Sequence, residues 1–150
     1  MNRRKWMGAL LLTSAAATSP AQQAPAASSS RKSILIQVTQ GPENPTRAAL
    51  AFLVARTAIE EGHSVTLFLA GDAVQLMRDE VLDQLTGLGT GKLRDSFDGI
   101  VRGGGRFHLS ANSSKARGVG ETHVKGKPVE FSPPTVLVRL VLECDRVLTY

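Results

Sequence analysis

An α/β fold with a mainly parallel sheet of about five strands is what this chain of 150 residues predicts, and three observations predict it. Short apolar, β-branched runs alternate with longer helical patterns. The helical patterns open on capping residues and several of them close on glycine. No internal repeat or second domain interrupts them. Strands separated by helices pair in parallel, and such a sheet needs helices on both faces.

The elements follow in order. SILIQVT (33 to 39) is the first strand. In GPENPTRAALAFLVARTAIEEG (41 to 62), Asn44 can cap a helix, Pro45 fits its first position and Gly62 its end. HSVTLFLAG (63 to 71) is a second strand. Asp72 with Gln75 predicts a second helix, on which Val74, Met77, Val81, Leu85 and Leu88 recur at three- and four-residue spacing. Leu93, Phe97, Ile100 and Val101 predict a short amphipathic helix ended by Gly103-Gly104-Gly105, and RFHLS is a third strand. SPPTVLVRLVLECD (132 to 145) predicts a helix opened by Ser132 and Pro133, and RVLTY a closing strand.

Residues 1 to 21 have the layout of a signal peptide: Arg3, Arg4 and Lys5, an apolar stretch from Trp6 to about Leu12, and a small-residue exit. Ser19 and Ala21 stand at a spacing a signal peptidase accepts, and Ala24 and Ala26 offer a second site. A membrane span needs about 20 apolar residues in a row, so a cleaved leader and a periplasmic or secreted protein are expected. Arg3-Arg4 leaves twin-arginine export open beside the general route. Residues 22 to 30 are Ala, Gln, Pro and Ser, without charge or large apolar side chains, and are expected to form a flexible linker to a domain over 31 to 150.

Removing the leader changes the charge. The whole chain has 18 Lys+Arg against 13 Asp+Glu; three cations lie in the leader, which leaves 15 against 13, or +2. No block of cations remains and the only tryptophan is Trp6, so nucleic acid is not an expected partner. The single cysteine, Cys144, excludes an internal disulfide, so stability has to come from a core. Between Ala48 and Ala55 no polar residue occurs, and a helix apolar all round is buried all round. A neighbouring subunit is therefore expected to cover part of it, with Phe52 as an outward position, unless the third or the C-terminal helix covers it within one chain.

Ligands of open parallel sheets bind beyond the carboxyl ends of the strands. Those ends supply Gln40 and Asn44 after the first strand, Asp72 after the second, and Ser110, Asn112, Ser113, Lys115 and Arg117 after the third. Hydroxyls, amides and two cations suit an anion or a polar small molecule; the plain alternative is a solvated loop. Other motifs fail on spacing. GLGTGKL (87 to 93) lacks the early glycine and the Ser/Thr of a phosphate loop, and GGGRF (103 to 107) precedes a strand and lacks the dinucleotide spacing. His108 and Ser110 share a strand face, a poor arrangement for a nucleophile and its base, and no Gly-x-Ser-x-Gly elbow is present. His63, His108 and His123 are scattered without metal-ligand spacing, so neither a metal nor another cofactor is expected. Cys144 ends an apolar helix, where a free cysteine usually behaves as a small buried hydrophobe.

The succession SILIQVT, AALAFLVARTAIEEGHSVTLFLAGDAV, FHLSANSSKARGV and CDRVLTY resembles the DsrE/DsrF-like sulfur-relay family over roughly residues 31 to 150, most tellingly in LFLAGDAV and KARGV. The resemblance implies a flavodoxin-like three-layer sandwich, a homo-oligomer such as a trimer or hexamer, and, in sulfur-carrying members, a persulfide-bearing cysteine after the third strand. Such members show Cys-x-x-Cys-x-Lys-Ala-Arg-Gly or a close variant, whereas this chain has Ser110 and Ser113 and retains Lys115, Ala116, Arg117 and Gly118. A hydroxyl forms no persulfide. The resemblance therefore implies either a non-catalytic exported oligomer that binds an anionic or polar small molecule, or a sulfur-pathway protein, at the strand ends, or a carrier that uses Cys144 instead.

Overall fold

Ile34, Leu35, Ile36 and Val38 make β1 (Ser33–Val38) apolar on both faces, as a central parallel strand must be. The computed structural model describes residues 30–150; the leader and all of the linker but Ser30 lie outside the described residues. After β1 come α1 (Pro45–Glu60), β2 (Ser64–Leu69), a 3-10 segment (Gly71–Met77), α2 (Asp79–Gln84), a small antiparallel hairpin of β3 (Thr86–Gly87) and β4 (Gly91–Lys92), and α3 (Leu93–Arg102). The chain closes with β5 (Arg106–Ser110), α4 (Ala111–Ala116), α5 (Glu121–Val124), β6 (Val129–Ser132), α6 (Pro134–Glu143) and β7 (Arg146–Thr149).

Five strands pair in the order β6-β5-β2-β1-β7, every pair parallel, so the predicted α/β class and sheet are present. Register places Ile36 beside Leu67 and Leu67 beside Phe107, and these point into one core. The steps β1 to β2 to β5 to β6 all run one way, whereas β6 to β7 runs back across the sheet. Right-handed crossovers then put α1 and α3 on one face and α6 on the other. The core confirms the first face: α1 packs on α3, and Ala48, Ala49, Ala51, Phe52 and Ala55 are buried against Phe97, Ile100 and Phe107. So α3 supplies the cover that a second subunit was expected to supply, and Phe52 is a fully buried core residue, not an outward one.

Asn44 does cap α1, its Oδ1 accepting from Arg47 N at 3.4 Å, with Pro45 in the first turn and Gly62 at φ +89° beyond the end. The predicted second helix is broken. Arg78 is extended (ψ 133°), which separates the 3-10 segment from α2, and Leu88 lies 90% exposed in the hairpin instead of on a helix face. Tertiary bonds explain the break. Arg78 Nη2 donates to Arg117 O at 2.8 Å, and Asp79 Oδ1 accepts from Lys127 Nζ at 2.8 Å and Arg94 Nη2 at 3.2 Å. The Lys127 ammonium beside Asp79 holds its carboxyl below the usual range. The β3–β4 hairpin, α4, α5 and β6 also escaped periodicity, and the helix expected from Ser132 starts instead after Pro133, with Ser132 at the end of β6.

Under α6 the sheet carries a polar cluster beside the buried Leu35 and Phe68. His108 Nδ1 lies 2.8 Å from Ser132 Oγ, its ring stacks on Phe68 at 6.4 Å, and Glu130 Oε2 is 4.0 Å away. Ser132 is fully buried, so this contact is part of the packing between β5 and β6. Burial holds the His108 pKa below its ordinary value, with Glu130 pulling the other way and Arg106 and Arg139 adding to the depression. A depressed histidine favours folding above its unfolded pKa of about 6.5 and opposes it as pH falls through the folded value. The wild type should therefore lose more thermal stability between pH 7.5 and 5 than His108→Gln does, as read by circular dichroism melts.

Candidate functional site

Two structural bonds fix the serines of the third strand end. Ser110 Oγ accepts from Ser113 N at 3.3 Å and so caps α4, which turns the expected loop into a helix. Ser113 Oγ accepts from Gly71 N at 2.9 Å and ties α4 to the loop after β2. Gly71 has φ +57°, a left-handed geometry that glycine adopts without strain. No histidine or carboxylate contacts either hydroxyl among the described residues, so neither is activated as a nucleophile.

Arg117 Nε donates to Asp72 Oδ1 at 2.7 Å, a half-exposed ion pair that joins the second and third strand ends. Asn44 Nδ2 donates to Gln40 Oε1 at 3.5 Å, a long bond at the first strand end. Gly41 brings this end against the second: a Cβ there would lie 2.4 Å from Asp72 O, so only glycine fits. Asp72, Ser110, Ser113 and Arg117 thus form one connected group, with Gln40 and Asn44 beside it. Asn112 and Lys115 are exposed on α4, and Lys115 makes no ion pair among the described residues. Four cavities of 210, 410, 330 and 380 Å³ lie elsewhere; none is lined by Ser110, Asn112, Ser113, Lys115 or Arg117.

Sequence reasoning missed two supports of this group. Arg78 holds the end of α4 through Arg117 O and Gly118 O, and its Nη1 lies 2.7 Å from His123 Nε2. An arginine in a helical pattern gives no sign that it reaches 39 residues along the chain. Among the described residues there is no cluster of three metal-ligating side chains, and no helix is long and apolar enough to cross a membrane.

The sequence pattern of the DsrE/DsrF-like family matches residues 32–150. The chain belongs to the DsrE/DsrF-like family. Its fold agrees: the crystal structure of the YchN protein from E. coli superposes with a TM-score of 0.66 at 21% identity, over 79% of this chain and 99% of that one. A conserved protein of unknown function from Bacteroides thetaiotaomicron gives a TM-score of 0.57 at 13% identity, over 79% and 95%. Such identities speak to the fold alone. No curated protein matches. In this DsrE/DsrF-like chain the serines at 110 and 113 stand where the family resemblance expects thiols, and both hydroxyls are engaged with backbone N–H groups.

Proposed function

We propose that this is an exported, non-catalytic DsrE/DsrF-like protein that assembles with copies of itself and binds a small anionic or polar ligand at the carboxyl ends of its strands. One observation carries the non-catalytic part: Ser113 Oγ, at a position where a sulfur carrier would hold its thiol, instead accepts the Gly71 N–H at 2.9 Å. Lys115 is the exposed cation of the site, and Arg117 becomes available to an anion when it exchanges Asp72. Thermal shifts with sulfate, thiosulfate and small carboxylates test the reading. A ligand at about 100 times its dissociation constant should add roughly 2.7 kcal/mol, and the gain should vanish in Lys115→Ala and Arg117→Ala. Gains that persist in both variants would remove the site.

Export is supported by the cationic start, apolar stretch and small-residue exit of residues 1 to 21. Mass spectrometry of the periplasmic fraction should find a new N-terminus between about Ala21 and Ser28. An intact Met1 species confined to the cytosol refutes it.

The carrier alternative gains one point from the structure. Cys144 is partly exposed at the end of α6, not a buried hydrophobe, and lines the 210 Å³ cavity. Its Sγ contacts Val141 O at 3.5 Å, and Glu143 lines the same cavity, so a carboxylate shares the space an anionic persulfide would enter. Treating the folded protein with a sulfur donor decides: stable persulfide on Cys144 establishes the carrier, and none leaves the binding protein.

A further inference from the structure

A second polar cleft opens at the opposite, amino-terminal edge of the sheet. Its 330 Å³ cavity is lined by Arg31, Ser64, Val65, Thr66, Gly103, Gly104 and Arg106. Arg31 precedes β1 and Arg106 begins β5, so the topology brings two guanidinium groups to one cavity across the end of β2. Neither makes an ion pair among the described residues. Two like charges facing one concave space repel, and a bound anion reverses the sign of that interaction. Ser64 Oγ already donates to Lys32 O at 3.2 Å, which leaves Thr66 as the hydroxyl donor toward a ligand.

The neighbouring 210 Å³ cavity, beneath the end of α6, shares Ser64 and Thr66 with the first and is lined further along by Leu35 and Leu140. The two are therefore consecutive parts of one cleft, cationic at one end and mixed at the other, where Leu35 and Leu140 stand with Glu143 and Cys144. Their volumes together fall within the span of about 300–1,000 Å³ over which proteins take small molecules. We propose that this cleft binds a small organic anion with a short apolar tail, an alkyl carboxylate or sulfonate, whose head meets Arg31 and Arg106 and whose tail lies against Leu35 and Leu140. Carboxylate and sulfonate share the recognition chemistry, a planar or pyramidal oxyanion matched to paired guanidinium forks.

The test compares acetate, hexanoate, hexanesulfonate and inorganic sulfate on the full-length protein, by thermal shift and by titration of backbone amide resonances. Affinity should rise about two- to fourfold for each added methylene, and the amides of Thr66 and Gly104 should move. Arg31→Ala with Arg106→Ala should abolish the effect; both side chains are exposed, so the fold survives their loss. Lys115→Ala should leave it intact, which separates this cleft from the carboxyl-end site. Equal responses to sulfate, acetate and hexanoate, no response to hexanoate, or a hexanoate response that survives in the double arginine variant would each overturn the proposal.

Discussion

Phe52→Ala is expected to lower the unfolding free energy by about 3–5 kcal/mol, the usual result of emptying a large core site. The ring is fully buried between α1 and the sheet, 5.9 Å from Phe107, which itself lies 5.1 Å from Phe97 of α3. The three rings join α1, β5 and α3, so the cavity would open where the layers meet. Domains are stable by about 5–15 kcal/mol in all, so the variant should melt tens of degrees lower or populate unfolded chains at 37 °C. Urea unfolding should show a lower midpoint with an unchanged slope. The loss should also be the same at low and high protein concentration, because Phe52 is packed within one chain. A destabilisation that disappears on dilution would mean that α1 meets another subunit after all. Leu50, on the same helix but 37% exposed, gives the contrast: Leu50→Ala should cost well under about 1.5 kcal/mol.

The same helix shows how far the sequence could be read. Its cap, its proline and its apolar character are local properties, and each is where the residues place it. What covers it is a tertiary fact. Gly99 and Gly103 let α3 approach closely, since a Cβ at Gly103 would lie 2.2 Å from Ile59 Cγ2, and nothing in α1 itself announces that. The break at Arg78 has the same cause. Propensity and period favour one helix from Asp72 to Leu88, but bonds from Arg78 to Arg117 O and from Asp79 to Lys127 arise only when α4 and α5 have docked. At the candidate site, the choice of strand ends was legible because parallel sheets place ligands there. The pairing of Asp72 with Arg117 and the bond from Gly71 to Ser113 were not, since each joins residues more than 40 positions apart. His108 shows the limit from the other side: its strand face was readable, whereas its partner Ser132 lies on β6, a strand of only four residues with Glu130 and Ser132 on its polar face.

If the proposed self-assembly uses α6, replacing Leu142 and Val138 with aspartate is expected to dissociate it while leaving the fold intact. Val138, Val141 and Leu142 are 60%, 41% and 80% exposed, and their spacing of three and four residues sets them on one outward stripe of α6. No residue of α6 is buried, and all four residues of the edge strand β7 are exposed, Val147 and Leu148 among them. An apolar helix face beside an open apolar edge strand is a surface that stable monomers blunt with charge. This one carries Arg139 and Glu143 on α6, Asp145 before β7 and Arg146 at its start, both signs on one patch. A two-fold related copy could then pair unlike charges around the apolar stripe, which makes this the patch through which the proposed self-assembly would run. An interface of standard size buries about 800 Å² on each partner, and an uncompensated charge at its centre costs about 3–5 kcal/mol, a loss of roughly two to four orders of magnitude in affinity. Light scattering at micromolar concentration should therefore show the wild type as an oligomer and Val138→Asp with Leu142→Asp as a monomer, with unchanged far-ultraviolet circular dichroism. Leu88→Asp serves as control: the residue is 90% exposed in the hairpin, away from α6, and its replacement should not alter the mass. A wild type that is already a monodisperse monomer would sink the assembly claim, and an oligomer unmoved by the α6 pair would place the contact on another face.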